Sequence, residues 1–287
     1  MPTERTGPMR QLALISLAMC AFAANSVLNR LAVGTGAIDP LLFAMVRLVA
    51  GAVMLTLLVI VRRGAVWAGW PGRVAGVGGL LVYLVGFSLA YVALDAGTGA
   101  LILFGCVQIT MFVGAMMLGE RVPAMRWMGA VLAFGGLVVL LAPVATVGAV
   151  WPMVAMASAG IGWGVYSMAG RKVSDPLAAT AANFVLAVPV ALLALPWVPL
   201  QANAWGLWLA VVAGAVTSGL GYALWYALVP QLGAARAAVA QLTVPLLAAT
   251  AGIIWLDEVL TWRFVIAAAM VMGGVVLASV QSSFFRR

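Results

Sequence analysis

"MLGERVPAMRW" (residues 117–127) and "IWLDEVLTWRF" (residues 254–264) break a chain that otherwise runs apolar for about twenty residues at a time. Each places a carboxylate after an apolar run and follows it with a Trp and an Arg. Glu120 and Glu258 stand 138 positions apart (258 − 120), so the same mark recurs near the end of each half of the chain.

The composition says what solvent surrounds these runs. Of 287 residues, 66% are hydrophobic and 8% charged, against roughly 45–50% and about 25% in soluble globular domains. The predicted solvent is a bilayer. There is no His, and Cys20 and Cys106 both lie in apolar runs. No disulfide framework, metal motif or cofactor is expected. A net charge of +8 raises nucleic acid as a partner, but the basic residues form no sustained run interleaved with aromatics. They read better as charges that orient membrane spans. Arg5 and Arg10 ahead of "AFAA" (21–24) resemble a signal peptide, yet the apolar run continues to Val33, long enough to span.

Spanning needs about 20 mostly apolar residues. Runs between Gly, Pro and charge punctuation predict ten helices, at 11–33, 39–61, 72–94, 98–119, 124–142, 150–170, 177–197, 204–229, 234–256 and 262–281. With the N-terminus inside, twelve Lys and Arg fall on inner segments, two (Arg30 and Arg263) on outer ones and Arg47 within a span. This bias predicts cytoplasmic termini.

The halves repeat in order. "DP" at 39–40 recurs at 175–176, Phe22, Ser26 and Arg30 match Trp163, Ser167 and Arg171, and Gly135–Gly136 match Gly273–Gly274. The predicted units are residues 1–143 and 144–287. Five crossings per unit make the second enter from the opposite side, the inverted-topology build whose binding site lies between the halves. The predicted fold class is thus an all-α membrane protein, two five-helix inverted repeats around a central cavity.

"DPLLFAMVRLVAGAVM" (39–54), with its Arg after an opening Pro, and the "GE" and "DE" marks resemble the drug/metabolite transporter superfamily, EamA type, over nearly the whole chain. Within it the chain looks most like bacterial exporters of aromatic amino acids, which implies a basket-shaped cavity. It departs from an even repeat in having Asn183 where the first half has Arg47, and "LDEV" in place of "LGER".

Polar side chains inside spans should face a cavity or find partners. Phe22, Asn25, Ser26 and Asn29 form one helical stripe, which reads as cavity lining at Asn25 or as a helix-packing seam. Tyr83, Trp163 and Tyr222 lie deep enough to need a polar partner or a wet cavity, whereas Tyr91 and Tyr226 sit near span ends and suit the interfacial belt. Gln108 and Gln241 carry amides able to read both ends of a zwitterion, and Pro245 frees the carbonyl of Gln241 or makes a kink that aids packing. The substrate-binding candidates are Asn25, Tyr83, Gln108, Trp163, Tyr222 and Gln241.

Arg47, deep in a span at a cost of roughly 2.5–3.5 kcal/mol, is expected to bond backbone carbonyls or a neighbouring polar helix rather than substrate. Glu120 and Glu258 are expected to cap the helices they precede, with Arg121 or Arg126 and Arg263 as local partners. Arg47, Glu120, Pro245 and Glu258 form the structural and gating set. No acid lies at mid-span, which predicts facilitated rather than proton-coupled movement.

The expected function is an inner-membrane carrier exporting small amphipathic metabolites, aromatic or neutral amino acids first. A broad drug or metabolite exporter and a non-transporting partner subunit stand as alternatives. No enzymatic motif is present. The expected partners are a small-molecule substrate and the bilayer, with no nucleic acid, and the expected working form is a monomer.

Overall fold

A computed structural model of the chain describes residues 8–62, 64, 72–119, 123–141, 150–170 and 173–284. These are helical almost throughout: α1 (Pro8–Gly34), α2 (Pro40–Val61), α3 (Arg73–Ala90), α4 (Ala96–Met117), α5 (Ala124–Leu141), α6 (Val150–Ala169), α7 (Pro176–Leu192), α8 (Ala204–Val212), α9 (Gly221–Gln241), α10 (Thr243–Trp255) and α11 (Trp262–Phe284). Residues Ala213–Leu220 join α8 to α9 as a π-helical stretch. Among the described residues the extended pairing is one isolated bridge, Ile38 with Ala202.

The "DP" pair opens a helix in the same way in both halves, with Asp as the cap and Pro at the first helical position. Asp39 Oδ1 accepts from the backbone N–H of Leu41 (2.9 Å) and Leu42 (3.2 Å), and Asp175 Oδ1 from that of Ala178 (3.1 Å). A Pro follows each at the first helical position, where no N–H is needed.

Packing between the halves obeys an approximate two-fold axis. A Cβ built on Gly129 in α5 would meet the Gly274 carbonyl and Ala278 in α11, and one on Gly136 would meet the Ala267 carbonyl. Shifting 129 by 138 gives 267, and shifting 136 by 138 gives 274, so the two approaches are images of one another. Likewise α3 packs on α6 and α1 on α8–α9, while α4 packs on α6 and α1 on α10. Backbones this close bring van der Waals contact where lipid offers no hydrophobic drive for association.

The junctions obey the same parity. Asp39 N–H donates to the Gln201 carbonyl (2.8 Å) and Asn203 N–H to that of Ala37 (2.9 Å), so the α1–α2 and α7–α8 connections share one face. An even number of crossings separates them, as the ten-span reading requires.

One boundary differs from expectation. The connection predicted between 229 and 234 is absent, and α9 runs on through it to Gln241. The break comes at Leu242 because Pro245, buried in the first turn of α10, cannot donate to the Gln241 carbonyl and its ring crowds that oxygen. With 13 residues, α10 is about 20 Å long. The ninth crossing is therefore completed by the Ala-rich end of α9, a composition that favours helix.

Candidate functional site

Where the halves meet, α1, α3, α4, α6 and α9 enclose a cavity of about 20 Å³, room for one or two water molecules. Asn25, Tyr83, Trp163 and Tyr222 line it, as do Phe22 and Ser26 of the α1 stripe and Phe87. Leu103 and Phe104 of α4 complete the wall. Gln108 and Gln241 do not reach it; both are half-buried elsewhere on their helices.

Aromatic rings make the walls. Trp163 lies 4.9 Å from Tyr83, 5.1 Å from Tyr222 and 5.2 Å from Tyr166, centroid to centroid. Phe22 meets Tyr222 edge-on at 5.8 Å. Each such pair adds about 0.5–1.5 kcal/mol beyond area burial, so the rings brace one another around the cavity.

One end of the cavity is polar. The Tyr83 hydroxyl oxygen is approached by Arg47 Nη2 (2.7 Å), Asn25 Nδ2 (3.3 Å) and the Tyr222 hydroxyl (3.4 Å). Thr217 Oγ1 lies 3.1 Å from Asn25 Oδ1, and Arg47 Nε donates to Ser218 Oγ (3.1 Å). Both hydroxyls come from the π-helical stretch, a local rewinding frequent at functional sites. Arg47 therefore bonds side chains of neighbouring helices. Among the described residues, two buried side-chain atoms, Arg47 Nη1 and Asn29 Oδ1, have no hydrogen-bond partner.

A second cluster lies at the α3–α4 and α10–α11 connections. Both carboxylate oxygens of Glu258 accept from the Ala96 N–H, at 2.8 and 3.0 Å. Arg30 Nε lies 3.7 Å from Glu258, and Arg30 Nη1 donates to the carbonyls of Tyr91 (3.1 Å) and Val92 (3.0 Å). Asp95 is 4.0 Å from Arg30 Nη2. Burial pushes the Glu258 carboxyl above its ordinary range, against the opposing pull of the Ala96 N–H; Asp95 adds to the rise and Arg30 works against it.

This corrects the expectation that Glu258 caps its own helix. Thr261 Oγ1 does so, accepting from Phe264 N–H (3.2 Å), and Arg263 stacks over Trp262 instead of pairing with the acid. Glu258 caps α4 of the other half because Asp257, with φ of 53°, turns the chain back and Gly252 leaves the space that Oε2 fills. Glu120 and Arg121, the first-half counterparts, lie outside the described residues.

Two further readings change. Tyr91 is wholly buried, its hydroxyl donating to the Ala96 carbonyl (3.2 Å), and so is no belt residue. Arg73, counted among the orienting charges, is buried and donates to the Ala179 carbonyl (2.7 Å) and Asn183 Oδ1 (2.8 Å) of α7. The side chain of Tyr226 is outside what the structure describes.

A helical bundle of membrane-spanning apolar helices, folded as two repeats around a buried aromatic cavity, defines a multi-pass membrane protein of transporter type. The chain belongs to the EamA-like transporter family, which matches residues 9–142 and again 149–280. It is 43% identical over 282 residues to an uncharacterized protein of Pseudomonas aeruginosa, covering 96% of this chain and 95% of that one. It is 24% identical over 248 residues to an uncharacterized transporter of Archaeoglobus fulgidus, covering 83% and 88%. A crystal structure at 22% identity shares the fold, with a TM-score of 0.65 over 98% of this chain and all of the other.

Proposed function

We propose that the protein is a bacterial inner-membrane carrier, with both termini cytoplasmic, that exports small amphipathic metabolites by alternating access, aromatic and neutral amino acids foremost. The observation that carries this is the cavity between the repeats: rings on most walls, amide and hydroxyl groups at one end, and a volume far below that of any metabolite. An apolar side chain suits the rings and a polar head suits the other end. The closed cavity is the empty or occluded stage of a cycle in which the halves rock about the site.

In this reading the cluster of Arg30, Glu258 and the α4 N-terminus latches one mouth, joining residues of both repeats. Movement follows the substrate's own gradient, since among the described residues no carboxylate or imidazole lines the cavity to carry a proton.

Purified protein in proteoliposomes is expected to exchange labelled tryptophan or phenylalanine, and Trp163→Ala to lower the rate. Transport confined to sugars or organic cations would overturn the substrate class. Uptake that depends strongly on an imposed pH gradient, with a neutral analogue as control, would overturn the facilitated mechanism.

A further inference from the structure

Arg47 is 0% exposed, at the centre of the bundle. Its guanidinium offers five N–H donors in a rigid fork, yet the bonds it makes go to two neutral hydroxyls, Ser218 Oγ and Tyr83 Oη. Nη1 has no partner. The Arg47 Cζ lies 5.2 Å from the Tyr83 ring centroid and 5.0 Å from that of Phe87, so ring faces carry part of the solvation. Among the described residues no carboxylate is paired with it; the ion pairs all involve Arg30.

A buried cation without a counter-charge is costly, and an arginine so placed cannot shed its proton to escape the cost. Were Arg47 there only to pin α2 to α3 and to the π-helical stretch, a neutral amide or hydroxyl would make the same bonds without burying a charge. The charge is of use when an anion arrives. Tyr83 links the two sites, since its ring lines the cavity while its hydroxyl holds Arg47. Tyr83 and Phe87, whose rings lie against the guanidinium, and Tyr222, whose hydroxyl meets that of Tyr83, stand between Arg47 and the space where a ligand would sit.

We propose that Arg47 is the anion-recognition group of the central cavity, and that the substrate is a small carboxylate with an apolar or aromatic body. The carboxylate takes the free Nη1 edge of the fork as Tyr83 yields, and the rings of Trp163 and Tyr222 hold the body. This rests on the transport reading given above but separates from it experimentally.

The test uses the purified full chain and three ligands of one shape: 3-phenylpropionate, 3-phenylpropanamide and 3-phenylpropylamine. Binding is read by tryptophan-fluorescence titration and by the shift of the thermal midpoint. Wild type is expected to bind the carboxylate at least about ten-fold more tightly than the amide or the amine. Arg47→Met should bring the three within about three-fold of one another, and Arg47→Lys should keep a weaker preference, having charge without the fork.

A wild type that treats acid and amide alike overturns the proposal, even if Arg47→Met fails to fold. So does an Arg47→Met protein that keeps the preference. If 3-phenylpropionate binds through Arg47 but no aromatic amino acid is exchanged in proteoliposomes, the amino-acid reading falls and this one stands. If amino acids are exchanged while the preference survives in Arg47→Met, the reverse holds. If none of the three binds to wild type, this proposal falls, and the transport reading is decided by the proteoliposome exchange alone.

Discussion

Glu258→Ala removes the acceptor that joins the α10–α11 connection to the start of α4. In the closed form the Ala96 N–H would lose its 2.8 Å bond in a place where the Glu258 side chain is 8% exposed. A donor left unsatisfied there costs about 1–3 kcal/mol, the same quantity measured as a lost N-cap. Arg30, 24% exposed, adds little, because an ion pair open to water is worth under about 1 kcal/mol. Water entering beside Gly252 would recover part of the loss. The net bias toward the unlatched form is about 1–2 kcal/mol, which is about five-fold to about thirty-fold in its population.

The assay is the rate at which a membrane-impermeant thiol reagent labels Ser26→Cys, a cavity position. The background is Cys20→Ser and Cys106→Ala, and the reagent is added from the face that carries the α3–α4 connection. Glu258→Ala should raise the rate by the factor above. Glu258→Gln keeps an acceptor for the Ala96 N–H and should leave it near wild type. An unchanged rate in Glu258→Ala, or equal rates in the two variants, would refute the latch.

The same assay has a pH dependence of fixed sign. The Glu258 carboxyl titrates above its ordinary range while latched among Ala96, Asp95 and Arg30, and returns to that range once the latch opens to water. The latched form binds the proton more tightly, so acid favours it. That added stability is complete below the ordinary carboxylate range and lost as pH rises through the raised value. Labelling of the Ser26→Cys protein slows in acid in every variant as the thiolate is lost, so the latch is read as the excess: with Glu258 intact the rate should fall further between about pH 7 and about pH 4 than it does in Glu258→Gln. At the α5–α11 contact, Gly129→Leu places atoms where the Gly274 carbonyl lies. A destabilisation of about 1–3 kcal/mol should lower the thermal midpoint, whereas Gly78→Ala, with nothing within 4 Å of the new Cβ, should not. Asp39→Ala and Asp175→Ala each remove a cap and should each cost about 1 kcal/mol, read by the same melt.

Much of the fold was legible because a bilayer makes helix the cheap answer for a long apolar run, and because duplication left "DP", Gly–Gly and acid marks in order. The cavity was half legible. Tyr83, Trp163 and Tyr222 carry polar atoms deep in spans, where membrane physics demands a partner, and all three face inward. Gln108 and Gln241 carry the same demand, but composition gives depth along a helix and not the direction a side chain takes. Leu103 and Phe104 were hidden because apolar residues surround α4, and its few polar ones, Gln108 among them, do not mark the face that meets the cavity. Tyr91 failed for the opposite reason, a residue at a span end whose ring turns into the bundle. Glu258 could not have been assigned its partner from any pattern, since what it caps is a backbone N–H 162 residues away.

The departure at Asn183 now has a physical content. Under the two-fold relation, the contact of α2 with the π-helical stretch is the image of the contact between α3 and α7. An arginine bridges both: Arg47 of α2 reaches Ser218 in one, and Arg73 of α3 reaches Asn183 in the other. The second cation has moved from the middle of its span to the first residue of α3, at the end of the membrane crossing. Two guanidinium groups about 10 Å apart would repel by on the order of 2 kcal/mol at an effective permittivity of 20, a cost the bundle avoids by keeping one at the centre. The result is a single buried guanidinium behind Tyr83 at the edge of the cavity, set between two halves that are otherwise alike. A symmetric pair of arginines would hold an anion equally well in either of two orientations. If Arg47 receives the substrate's carboxylate as proposed above, it fixes which end of the substrate meets α2, and so which end would lead in a rocking cycle.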